Sequence, residues 1–126
     1  MLLQKWKHLV ADWEALPFAQ QERIMGRTKL ESIELENKPS DSHVARTDQD
    51  KFGNIFRRNM PYGSVDNHGT VFVGFSADQK RLSGMLDSMA GLVTGQRDAL
   101  TRFTVPLTGS YYFVPSVESR RRLRGA

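Results

Sequence analysis

The run Thr70-Val71-Phe72-Val73-Gly74-Phe75 is dense in β-branched and aromatic residues. Three positions later, Asp78 opens a stretch that carries Leu82, Met85, Leu86 and Met89. The first pattern predicts a strand. The second, with apolar residues three and four apart behind a carboxylate cap, predicts a helix with one apolar stripe. Neither element can bury its apolar side alone, so the helix must lie across a sheet. Asn54 to Met60 reads as a preceding strand broken by Pro61-Tyr62-Gly63, and Gly63-Ser64-Val65-Asp66-Asn67 reads as a hairpin turn. A short helix is expected from Asp98 to Phe103, then a last strand over Tyr111-Tyr112-Phe113-Val114, ended by Pro115. Strand, strand, helix, strand is the latter part of a ferredoxin-like α+β unit: an antiparallel sheet with helices on one face. Met1 to Lys5 supplies a short first strand.

From Trp6 to Leu35, apolar residues recur at helical spacing: Leu9, Trp13 and Leu16, then Phe18, Ile24 and Met25. Pro17 punctuates this run, and Gly26 is placed to end its second part. Glu31 to Asp50 is polar, contains Pro39 and keeps no period, so it is expected to be a long loop with His43 inside it. A loop of that length in a small domain either lacks order or carries function. On residue type alone, His43 reads as a surface-loop histidine sooner than as a ligand. His8 and His68 read as strand-end and turn residues, and Met85 with Met89 reads as core.

The 126 residues suffice for one domain with a modest core. The chain has no cysteine, which excludes disulfides, thiolate zinc sites, iron–sulfur clusters and a cysteine nucleophile. No apolar stretch approaches the length of a membrane span, and Met1 to His8 lacks the pattern of a secretory leader, so a cytoplasmic location is expected. The net charge of +4 is concentrated in Arg120, Arg121, Arg122 and Arg124, which reads as a solvated tail. No aromatic-rich RNA signature or zinc-finger spacing accompanies it, so neither nucleic acid nor membrane is expected as a partner.

Six blocks in order resemble dye-decolorising (DyP-type) haem peroxidases. They are Gln4 to His8 with Trp13, Gln21 to Lys29, Lys38 to Thr47, Arg57 to Gly63, Gly69 to Phe75, and Leu107 to Pro115. The resemblance covers nearly the whole chain and corresponds to the C-terminal half of that family. It implies the matching half of a dimeric α+β barrel-type architecture, with residues 1–126 as one haem-binding ferredoxin-like domain and the N-terminal half absent. The resemblance also assigns roles. His43 matches the proximal ligand to iron of haem b, and Asp98 looks like the carboxylate partner of its other ring nitrogen. Arg57 matches the distal arginine and Asn59 its polar neighbour, which share a strand face at a spacing of two while Arg58 faces away. Phe72 matches an apolar wall residue, and Arg46 is implied as a haem contact.

The function implied is haem-dependent oxidation of bulky, dye-like organic donors by hydrogen peroxide. The alternatives kept open are a haem-binding module without turnover and an inactive fragment. The family's Gly-x-x-Asp-Gly motif, whose aspartate assists proton movement, has no counterpart here, and the segment between His43 and Arg57 is shorter than in the family. A sheet face or edge left uncovered by the absent half is expected to drive homo-oligomerisation or association with that half.

Overall fold

Leu2, Gln4, Trp6 and His8 alternate with Leu3, Lys5 and Lys7, and this period of two builds the first strand, β1 (Leu2–His8). The structure, a computed structural model, describes residues 1–125. β1 is longer than the expected Met1 to Lys5 strand, because Trp6 and Lys7 pair on both sides and His8 pairs with Thr104, so they do not start the helical run. Helix begins only at α1 (Val10–Glu14), followed by α2 (Phe18–Met25) after Pro17. Gly26 closes α2 at φ 81°, the left-handed conformation that glycine adopts without strain.

The expected loop from Glu31 to Asp50 is partly helical: it contains α3 (His43–Arg46), and α4 (Gln49–Phe52) starts at its end. Each spans four residues, too few to display a hydrophobic period. Their starts are marked instead by side-chain caps from Ser42 and Asp48.

β2 (Phe56–Gly63) pairs antiparallel with β3 (His68–Phe75), Phe56 opposite Phe75 and Gly63 opposite His68. Pro61 does not break β2 as expected. The sheet order is β2-β3-β1-β4, so β2 is an edge strand, where a missing N–H is tolerated. Ser64 N donates to Asn67 O at 3.0 Å and closes the hairpin. α5 (Gln79–Ala90) follows its Asp78 cap, whose Oδ1 accepts from Lys80 N at 2.9 Å.

A 3₁₀ turn, Ala99–Arg102, leads into β4 (Thr104–Tyr111). The last strand therefore lies earlier than Tyr111 to Val114. Its partner β1 begins at Leu2, opposite Tyr111, and Met1 and Tyr112 exchange the two final backbone bonds at 2.8 Å. Among the described residues, Phe113 and Val114 pair with no strand. The arginine-rich end forms an exposed helix, α6 (Val117–Arg124), capped by Ser116. The whole is an α+β fold with a four-stranded antiparallel sheet.

The inner face of the sheet is divided. At one end, Leu2 packs with Ile55, Leu82 and Met85, and Phe52, Phe72, Leu86 and Met89 border this cluster. Burial of each large side chain contributes about 1.5–3 kcal/mol. Gly74 permits the close approach of α5: a Cβ there would stand 3.1 Å from Leu82 Cδ2. At the other end, Gln4, Trp6 and His8 border a cavity instead. On the outer face, Phe56, Met60, Phe75 and Val105 remain exposed. Arg58 lies 4.7 Å over the Phe56 ring and Lys5 4.5 Å over Tyr62.

Candidate active site

The placement of His43 begins with two small residues. Gly26 has no Cβ, and one placed there would come within 2.9 Å of Ser42 Oγ. The end of α2 therefore seats directly against Ser42, which is fully buried and caps α3. His43 is the first residue of α3 and borders the cavity. Its Nδ1 lies 2.7 Å from Asp98 Oδ2, and the Asp98 side chain is completely buried.

Asp98 is itself held on three sides. Its Oδ1 accepts from Leu100 N at 2.9 Å, its backbone N donates to Met89 O at 2.9 Å, and its backbone O accepts from Thr101 Oγ1 at 2.6 Å. Ala99 N also donates to Asp41 O at 2.8 Å, which ties this turn to the approach of α3. A buried carboxylate fixed in this way dictates that the His43 proton sits on Nδ1. In the neutral ring the lone pair is then on Nε2, the other ring nitrogen, of a side chain that borders open space.

The cavity is about 960 Å³, at the upper end of the range for small-molecule and cofactor sites. Arg57 and Asn59 from β2 and Phe72 from β3 all border it, and Asn59 stands directly opposite Phe72 in the ladder. Met85 and Met89 serve both the core and this wall.

Arg57 Nη1 donates to Thr47 O at 3.0 Å, and Thr47 Oγ1 donates to His43 O at 2.8 Å. The arginine on the sheet is thereby tethered to the helix that carries the histidine. Partial burial and the nearby Arg27 charge lower the pKa of Arg57, with Asp48 opposing them. The guanidinium stays charged but is poorly compensated, a state suited to an anionic oxygen.

Arg46 stands apart from the residues the structure brings together. Its side chain is buried, but it turns from the cavity, donating from Nη1 to Thr94 Oγ1 at 2.7 Å and from Nη2 to Gln96 Oε1 at 2.8 Å. Its Nε has no hydrogen-bond partner among the described residues. Arg46, implied as a haem contact, does not border the cavity. Its contacts fix the segment that leads to Asp98.

The sequence reading missed several cavity residues. Trp6, His8, His68 and Thr70 all border it, as does Thr47. Their signal was present: once β1 reaches His8, positions 4, 6 and 8 share the inner face. Assigning Trp6 to a helix concealed it.

The site is thus a cavity on the inner face of a four-stranded ferredoxin-like sheet, with a carboxylate-oriented histidine on one wall and an arginine on another. Comparison with known proteins gives the family. The description "Dyp-type peroxidase, C-terminal" matches residues 1–119. The chain belongs to the DyP-type peroxidase family and corresponds to its C-terminal domain.

Dye-decolorizing peroxidases from Mycobacterium tuberculosis and Rhodococcus erythropolis are 40% and 37% identical over 92% and 94% of this chain. The chain spans only 37% of the length of each. A dye-decolorizing protein from Vibrio cholerae superposes with a TM-score of 0.85 at 42% identity, covering 91% of this chain and 40% of that one. A Bacteroides thetaiotaomicron dye-decolorizing peroxidase gives 0.87 at 35% identity, covering 93% and 40%. A DypB variant from Rhodococcus jostii solved in complex with heme gives 0.82 at 38%, covering 91% and 40%.

Proposed function

We propose that this chain is the haem-holding part of a peroxidase that uses hydrogen peroxide to oxidise bulky organic donors, with haem b as its cofactor. The supporting observation is the His43 Nδ1–Asp98 Oδ2 pair at 2.7 Å on the wall of a cavity that Arg57 and Asn59 also border. The donor set fits haem: a neutral imidazole with Nδ1 engaged and Nε2 free is the form in which histidine ligates iron, and a carboxylate partner strengthens its electron donation. A heme-bound relative with the same fold supports the fit.

Haem, when bound, supplies the redox chemistry with peroxide and donor. His43 would hold the iron, and Asp98 keeps the proton off Nε2. Phe72, Met85 and Met89 offer an apolar wall to a porphyrin face. Arg57 has five N–H groups and gives one to Thr47 O, so others remain to stabilise negative charge on a peroxide oxygen. Asn59 adds a neutral donor and acceptor on the same strand face.

Because the chain spans about two fifths of its relatives, turnover by the whole protein is part of this proposal. That span also favours a second reading, in which this domain binds haem and needs the remainder of a longer protein for turnover. The exposed Phe56, Met60, Phe75 and Val105 face would then be covered by that remainder or by a second copy.

Titration with hemin tests the first step. A Soret band should form with the parent chain and be lost in His43→Ala. Peroxide-dependent bleaching of an anthraquinone dye tests the second, and should fall by roughly 10²–10³ in Arg57→Leu. A Soret band without bleaching supports the second reading. No band at all overturns both.

A further inference from the structure

His8 and His68 face each other at the ends of β1 and β3, where the ladder register continues from Lys7 opposite Gly69. Their Nδ1 atoms are 3.0 Å apart and the rings stand at 89°. The other nitrogen of His8, Nε2, lies 3.0 Å from Thr70 Oγ1. All three side chains border the cavity, and none has a part in the reading given above.

The spacing suits coordination. Two nitrogens each about 2.0–2.1 Å from one cation stand about 2.9 Å apart at a right angle and about 3.3 Å apart at the tetrahedral angle. The observed 3.0 Å falls between these values. Thr70 is the kind of outer partner that ligating histidines use, since an Nε2–H donated to its hydroxyl leaves the His8 Nδ1 lone pair aimed at His68. Gly69 makes the arrangement possible: a Cβ there would lie 1.9 Å from Trp6 O, so a larger residue would push the two strands apart.

We propose that His8 and His68 form a two-histidine site for a borderline divalent cation, copper(II) before zinc(II) or nickel(II), at the strand-end rim of the cavity. No third His, Asp or Glu joins them among the described residues, so water or an added ligand completes the coordination. Copper is favoured because imidazole sites follow the Irving–Williams order and a right-angled pair suits a tetragonal ion.

The cation would take both Nδ1 lone pairs, and the proton shared between them would move to the outer Nε2 of His68. The exchange therefore releases no net proton. Haem binding through His43 is a separate matter, and this site does not depend on it.

The test is a copper(II) titration of the haem-free full chain, read by calorimetry and electron paramagnetic resonance. The parent should bind one equivalent with a hyperfine pattern from two imidazole nitrogens. His8→Gln and His68→Gln should each lose that site, while His43→Gln should keep it. Thr70→Val should weaken it by about 10–100-fold while leaving circular dichroism unchanged. Absence of a stoichiometric site in the parent, a one-nitrogen spectrum, or loss in His43→Gln with retention in His8→Gln each overturns the proposal. If the histidine variants do not fold, the parent spectrum and Thr70→Val decide the question.

Discussion

Asp98→Asn is the substitution that most sharply probes how this fold prepares His43. The wild-type carboxylate accepts twice, from His43 Nδ1 at 2.7 Å and from Leu100 N at 2.9 Å. An amide has one oxygen, so it can accept from only one of these groups in the buried pocket. If it keeps the cap on the 3₁₀ turn, its NH₂ faces His43, and the imidazole proton must move to Nε2. If it keeps His43 as a donor, the NH₂ is set against the Leu100 N–H.

A hydrogen bond to a charged group contributes about 1.5–3 kcal/mol and a cap about 1 kcal/mol. The variant should therefore lose roughly 1.5–3 kcal/mol. For a chain of this length, at about 3–5 °C per kcal/mol, that lowers the Tm by roughly 5–15 °C. Hemin affinity, measured by Soret titration at a temperature where the variant is folded, should fall by about 10–100-fold. A variant with parental hemin affinity would show that the carboxylate does not set the tautomer, and the account of His43 as a prepared ligand would be wrong. Asp98→Ala, which removes both bonds, should be less stable than Asp98→Asn. The reverse order would also refute the reasoning.

Leu82→Ala, at a side chain 1% exposed between Leu2 and Met85, should cost about 2–5 kcal/mol in denaturant unfolding with an unchanged slope. Gly69→Ala should cost about 1–3 kcal/mol, with faster amide exchange confined to β1 and β3 near Trp6. The lowered pKa of His8 means that the unfolded chain binds more protons than the folded one once pH falls below about 6.5. Stability is complete above that pH and declines as pH drops toward the folded value, and His8→Gln should flatten this part of the curve in pH-dependent thermal melts. The exposed Phe56 and Phe75 pair, 6.2 Å apart, should drive concentration-dependent association visible by light scattering, and Phe56→Ser should reduce it.

The α5 stripe, its Asp78 cap, the Gly26 stop and the β3 core were legible because each is a local pattern whose period or cap chemistry survives without tertiary context. The faces of β2 were legible for the same reason. Arg57 and Asn59 sit two apart and border one cavity, while Arg58 stacks on Phe56 outside. Errors arose where the deciding partner is distant in sequence. β4 stops where β1 runs out, Pro61 is tolerated because β2 lies on an edge, and Trp6 is a strand residue because β3 and β4 flank it.

By itself the sequence determined the class of fold, the run of blocks shared with DyP-type peroxidases, and the residue types able to ligate iron and stabilise an anion. The resemblance had already pointed to Asp98, fifty-five positions from His43, as the partner of its ring; tertiary structure alone decided how that contact is built, that Arg46 turns away to Thr94 and Gln96, and that His8 meets His68. The physical reason is the range of the forces involved. Propensity, capping and periodicity act within a few residues, whereas a hydrogen bond of 2.7 Å between groups so far apart exists only after the sheet has closed and α5 has set the 3₁₀ turn against α3.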